Sequence, residues 1–267
     1  MPHPLLDPSD LSRRGLLRHS IAGAAAGLFA GAGLARADAP TPPQVRGPFH
    51  PRPAGVDRRI LQAIDRDADL TFVDDRPGGT AFGRPLVISG RVEDERGLPI
   101  AGAEVEIWQA CVSGRYNHRG DPNREWLDPY FQYWGKAVSD ARGEYAFRTV
   151  VPGAYKASQT WIRPPHVHFK VTRLGYRELV TQLYPRDVPF YYAGRFRAAS
   201  LLRSLLQADL VLGEVPLAER DRVVVPAPRG LIAEEPDTHV ATFDITLAAL
   251  RPRATPADPD LTALLSA

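Results

Sequence analysis

From residue 85 onward, apolar and polar side chains alternate with a period of two. "LVISGRVED" (86–94), "AEVEIWQA" (103–110), "EYAFRTVV" (144–151), "HVHFKVT" (166–172), "ELVTQLY" (178–184) and "ATFDITL" (241–247) each read as a strand with one face turned to a core. Glycine and proline punctuate them, as in the turn "ERGLPI" between the first two. Short strands so spaced predict an all-β domain, an antiparallel β-sandwich spanning 85–267. Within it, "FRAASLLRSLLQADLVL" (196–212) changes to helical spacing and predicts one helix laid over the sandwich, its leucines facing the core. Upstream, 38–84 reads as an irregular arm with a short helix. Its first part, "DAPTPPQVRGPFHPRPAG" (38–55), is too rich in proline for regular structure, and 56–70 carries a loose helical pattern through Ile60, Leu61 and Ile64. That makes one or two short helices in all.

The first residues follow neither period. In "SRRGLLRHSIAGAAAGLFAGAGLARADA" (12–39), Arg13 and Arg14 head a weakly apolar run that ends in the small-x-small sequence Ala35-Arg36-Ala37. The run is too short and glycine-rich for a membrane span of about 20 apolar residues. Residues 1–37 therefore read as a cleaved export signal of twin-arginine type. The mature protein would begin near Asp38 and work in the periplasm or outside the cell. That route carries folded cargo, which suits a protein that receives a cofactor before it leaves the cytoplasm. Composition changes the picture in two ways. The 267-residue chain has a formal charge of +2, but the leader holds four arginines against two aspartates, so the remainder is neutral and offers no footprint for nucleic acid. Cys111 is the single cysteine, which excludes an internal disulfide and a sulfur-based metal site and marks it as a small buried hydrophobe.

Candidate chemistry centres on "RPPHVHF" (163–169). In a strand, residues i and i+2 share a face, so His166 and His168 project side by side while Val167 turns into the core. Two imidazoles so placed can reach one metal ion, although the pair alone reads more readily as surface or hydrogen-bonded histidines. Two tyrosines stand in turn-bounded contexts, Tyr116 in "SGRYNH" and Tyr155 in "VPGAYKA", each two residues after a glycine. Phenolate is a hard anionic oxygen donor that suits trivalent iron better than zinc or ferrous iron. Either tyrosine alone is an ordinary packing residue; the combination carries the argument.

Taken together, "ISGRVEDERGLPIAGAEVEIWQACVSGRYNH", "RTVVPGAYKA", "RPPHVHFKV" and "LVTQLYP" resemble the intradiol ring-cleavage dioxygenases, nearest their protocatechuate 3,4-dioxygenase branch. The likeness runs from about Thr41 to the closing "FDITL". It implies one non-haem Fe(III) per chain, held on a β-sandwich by Tyr116 and His166 as equatorial ligands and Tyr155 and His168 as axial ones. Tyr155 would be the ligand that leaves when substrate binds. Arg163 would stand beside the substrate and Gln182 near the iron. The implied partners are a catechol and O2, and the implied product is a cis,cis-muconate-type diacid. Two departures touch the substrate contacts. The interval "YKASQTWIR" is short, and the tryptophan that follows the axial tyrosine elsewhere is replaced near Ala157, with Trp161 available to fill its space. A substrate carboxylate would need a further cation, for which Arg46 and Lys156 are candidates. No counterpart of the long N-terminal helical domain of the catechol and hydroxyquinol branches is expected, and the chain does not decide between a homo-oligomer and an assembly with a second subunit type. Two other readings stay open: "GRVEDERGLPIAGAEVEIW" also looks like a non-catalytic transthyretin or carboxypeptidase-regulatory module, and a zinc-loaded hydrolytic relative is conceivable. The non-catalytic module gives no reason to keep Tyr116, Tyr155, His166 and His168 together.

Overall fold

The computed structural model describes residues 39–51, 67–74, 76 and 78–250. The expected export signal and all but the last residues of the expected 56–70 helix lie outside them. Of that stretch, Asp67–Leu70 is not helical: Asp69 bridges Arg148 in parallel. The described residues are mostly sheet with few helices, arranged as two larger open sheets and two two-stranded ladders. No helix among the described residues is long and apolar enough to cross a membrane.

The first sheet is built on β1 (Pro85–Asp94). β2 (Glu104–Trp108) and β3 (Trp134–Val138) belong to the second, and β4 (Glu144–Val150) pairs antiparallel with β1. Two residues each, β5 (Tyr155–Lys156) and β6 (Ile162–Arg163) form a small ladder of their own. β7 (Val167–Thr172) and β8 (Leu179–Arg186) run beside β2, so the second sheet has the order β3-β2-β7-β8, with β11 (Val224–Pro226) beyond. β9 (Phe190–Tyr192) and β10 (Arg195–Arg197) make a hairpin that the alternation did not reveal, turning through positive φ at Ala193 and Gly194. The C-terminal pair β12 (His239–Thr242) and β13 (Ile245–Leu247) returns along the other edge of β1.

Pairing is not wholly antiparallel. β12 and β13 run parallel to β1, and β11 runs parallel to β8. The two C-terminal strands act as one, interrupted where Phe243 N–H donates to the Ser89 carbonyl (2.8 Å) and the Asp244 side chain accepts from Arg91 N–H (2.9 Å). A side chain at Gly90 would strike the Phe243 carbonyl, so this crossing requires glycine. The sheets share one core. Phe169 of β7 contacts Tyr145 and Phe147 of β4 and Phe243, at ring-centroid distances of 6.2, 6.4 and 4.9 Å. Val167, Phe169 and Val171 are the core-facing half of β7, as alternation predicts.

The single predicted helix is two. α1 (Ala199–Ala208) ends at Asp209, which is extended (φ −75°, ψ 121°), and a one-turn α2 (Leu210–Gly213) follows. Phe196 belongs to β10. The leucine spacing is right, with Leu202, Leu206 and Leu212 buried, but the Asp209 side chain caps α2 through Leu212 N–H (2.9 Å) and so breaks the run.

Candidate metal centre

The two tyrosines owe their proximity to the glycines that precede them. Gly114 (φ +83°) closes the turn after β2, where its N–H donates to the Cys111 carbonyl (2.9 Å). Gly153 N–H donates to that same carbonyl (3.1 Å). A Cβ at 153 would collide with the backbone of Val112 and Gly114, and one at 114 with the Ala154 carbonyl. The two turns therefore pack backbone against backbone, which only glycine allows. Tyr116 and Tyr155 follow two residues later and meet edge to face, centroids 5.7 Å apart. Cys111, whose carbonyl both glycines share, is fully buried in the main core, as expected.

The histidines come from the second sheet. Register sets His168 between Trp108 on β2 and Gln182 on β8, so these three side chains form a row across one face. Trp108 stacks on the His168 ring at 4.8 Å and 7°. His166 immediately precedes β7 rather than opening it, and its ring lies 4.9 Å from His168 and 5.7 Å from Tyr155. Tyr116 and His168 are 6.3 Å apart. All four rings are buried, each less than a tenth exposed.

These residues fit a metal ion. Among the described residues no group of three or more His, Cys, Asp or Glu side chains could hold one, so the available donor set is two phenols and two imidazoles. His166 Nδ1 lies 2.7 Å from the Pro164 carbonyl; a carbonyl can only accept, so Nδ1 carries the proton and Nε2 presents a lone pair. The Tyr116 hydroxyl, 3.3 Å away, donates to it. In His168, Nδ1 is buried with no hydrogen-bond partner. Burial, together with the charge of Arg163, pushes both imidazoles well below the usual histidine range, so both are neutral donors at neutral pH. Burial and then the neighbouring Tyr155 push Tyr116 well above the usual phenol range. Burial raises Tyr155 too, against the pull of Arg163. A phenolate here would need a strong cation beside it, which is what a trivalent ion provides.

Arg163 and Gln182 reach the same cluster. β5 and β6 pair Tyr155 with Arg163. The guanidinium is buried, donating through Nε to Asp209 (2.8 Å) and through Nη2 to Gln182 Oε1 (2.7 Å) and the Tyr184 hydroxyl (3.3 Å). Nη1 stays outside these three bonds. Trp161 lies under the guanidinium, 5.4 Å from its ring centroid. The arm closes the site from the other side. Gln182 Nε2 donates to Val45 O (2.9 Å), Gly47 lies against the His168 ring, and Phe49 packs on Tyr116 at 4.8 Å.

All six predicted site residues thus meet in one place. The two extra cations do not: Arg46 pairs with Glu178 at 2.7 Å at the surface, and Lys156 is exposed on the face of β5 opposite Tyr155. Sequence reasoning missed Trp108, Phe49 and Asp209. The "EIW" alternation could have placed Trp108 on the histidine face, whereas nothing local marks Asp209, whose partner lies 46 residues away.

The chain belongs to the intradiol ring-cleavage dioxygenase family: residues 60–207 match the family model described as Dioxygenase. The beta chain of protocatechuate 3,4-dioxygenase from Burkholderia cepacia is 36% identical over 61% of this chain and 63% of its own. A chlorocatechol 1,2-dioxygenase from Pseudomonas sp. (strain P51) is 33% identical over 53% of this chain and 54% of its own. The chain thus spans between half and two thirds of the length of these relatives. The solved structure of 3-chlorocatechol 1,2-dioxygenase from Rhodococcus opacus 1CP superposes with a TM-score of 0.56 over 91% of both chains; at 18% identity this is a likeness of fold.

Proposed function

We propose that this chain is a non-haem Fe(III) dioxygenase that opens a catechol-type ring between its two hydroxyl-bearing carbons with O2, giving a cis,cis-muconate-type diacid. The observation that carries the reading is the cluster itself: Tyr116 after β2, Tyr155 of β5, His166 just before β7 and His168 within it, buried close together. These four residues would hold the ion, which when bound supplies Lewis acidity toward an adjacent diol. The remaining steps belong to the chain's own groups. The Tyr155 hydroxyl, raised by burial, is suited to hold a proton taken from the diol. Arg163, a fixed cation facing Tyr155, stabilises negative charge that develops on the ring oxygens and carbons. Gln182 holds Nη2 of Arg163, and Phe49 with the arm backbone keeps water away from the rings.

Of the three cations considered for a substrate, Arg163 alone stands in the cluster, which favours a diol recognised by its two hydroxyls over one that requires a ring carboxylate. The same reading takes the two facing sheets as a β-sandwich and the paired arginines near the start of the chain as an export signal. Oxygen uptake by iron-loaded protein, measured across protocatechuate, catechol, chlorocatechol and hydroxyquinol, tests the activity. No uptake with any 1,2-diol would sink it. Cell fractionation tests export: unprocessed chain confined to the cytoplasm would remove that part alone.

A further inference from the structure

We infer that Asp209 is a positioning residue that fixes the Arg163 guanidinium over the site, an inference that rests on the dioxygenase reading above. Asp209 interrupts what would otherwise be one helix, and its side chain is fully buried. The carboxylate accepts from three donors: Arg163 Nε (2.8 Å) and Trp161 Nε1 (3.3 Å) on Oδ2, and Leu212 N–H (2.9 Å) on Oδ1. Capping alone needs only Oδ1, and Ser, Thr or Asn would serve. Burying a carboxylate costs several kcal/mol unless a charge answers it, so the second oxygen identifies the partner that matters.

On its far side the guanidinium is held by Gln182 Oε1, itself anchored because Gln182 Nε2 donates to Val45. Two nitrogens are thus fixed by anchors from different elements, with the Trp161 ring beneath. A planar fork held at two points has its plane and position set. Asp209 therefore decides where the positive charge stands relative to Tyr155 and to a diol bound beside it.

The test uses iron-loaded full-length protein with Asp209→Asn, Asp209→Glu, Arg163→Ala and the double variant Asp209→Asn/Arg163→Ala. Asp209→Asn should keep wild-type iron content, lower kcat/KM by about tenfold or more, and weaken 4-nitrocatechol binding read from its absorbance without oxygen. In the Arg163→Ala background the same change should alter both readouts less than about twofold, because its target is gone. Asp209→Glu keeps the charge, and with it the folded pair if the Asn variant does not fold, but shifts the guanidinium by a methylene and should also lose turnover. Asp209→Asn within twofold of wild type, equal losses in both backgrounds, or full activity in Asp209→Glu would each overturn the assignment. Wild-type protein with no iron-dependent oxygen uptake would instead overturn the dioxygenase reading itself, and this inference with it.

Discussion

His166 and His168 are held differently, and the difference predicts how each fails. His166 has its tautomer set by the Pro164 carbonyl, and that prolyl pair also fixes the backbone where β6 gives way to β7. His168 is placed by packing, sandwiched in register and stacked on Trp108. Replacing it with alanine removes one donor and leaves the ring of Trp108 in place, so His168→Ala should fold and lose its iron, measured as metal per chain. Arg163→Ala should do the reverse, keeping iron while turnover falls by about 10²–10³-fold, the loss typical when a preorganised charge is removed. Normal turnover in Arg163→Ala would exclude its role. That these four residues would cluster was legible because their spacing is local: an i, i+2 histidine pair at the start of β7 and a glycine two residues ahead of each tyrosine. Asp209 was not, because it sits inside a leucine pattern that reads as uninterrupted helix and acts on a residue brought to it only by folding.

At the scale of elements, the site depends on backbone contacts that leave no room for a side chain. Gly153→Ala would force a Cβ into the turn that holds Gly114 and so push Tyr155 from Tyr116. Overpacking of this kind costs about 1–3 kcal/mol. The expected outcome is a lower melting temperature and a larger relative loss of iron; unchanged iron content would show that the turns can part without moving the rings.

The second sheet carries a further marker in Glu106, buried in β2 between Lys136 and Lys170 in register and bonded to His50 (2.8 Å). Burial works to raise its pKa, but the bond and charge of His50 and the charge of Lys170 outweigh it and hold the carboxyl below its ordinary 4.5. A depressed carboxylate stabilises the fold above its unfolded pKa, and that contribution is lost as pH falls below 4.5 through the folded value. Thermal melts from pH 6 downward should therefore show a smaller acid-induced drop in Glu106→Gln than in wild type. Equal slopes would mean that other carboxylates carry the acid sensitivity. Alternation gave these strands their faces; it could not give β9 and β10, whose three residues each are too short for a period, nor the parallel partners of β1, since periodicity says nothing of strand direction.

Across the whole molecule, the arm ties the two sheets to each other and to the site. Thr41 bonds Thr246 in both directions, N–H to carbonyl at 3.0 Å and N–H to hydroxyl at 2.9 Å, which fixes it to the first sheet. Three residues on, Gln44 N–H donates to the Val180 carbonyl (2.8 Å) of the second. Its side chain donates to Thr181 and to the Gln182 carbonyl and accepts from the Tyr184 hydroxyl. From the sequence, prolines identified this stretch as extended, but an extended chain has no face, so its path over the rings was invisible until both sheets were in place. Gln44→Ala deletes three side-chain hydrogen bonds, each worth about 1 kcal/mol net when partly buried. A loss of about 2–3 kcal/mol in a domain of this size should lower the melting temperature by about 5–10 °C. Because all three of those bonds brace the strand that presents Gln182, and Gln182 in turn holds Arg163, the same variant should raise KM for a diol while leaving iron content intact. A melting temperature lowered with KM unchanged would make the arm a brace between sheets and nothing more. A raised KM would make it a wall of the site, built by residues that precede the first strand of the sheet they cover.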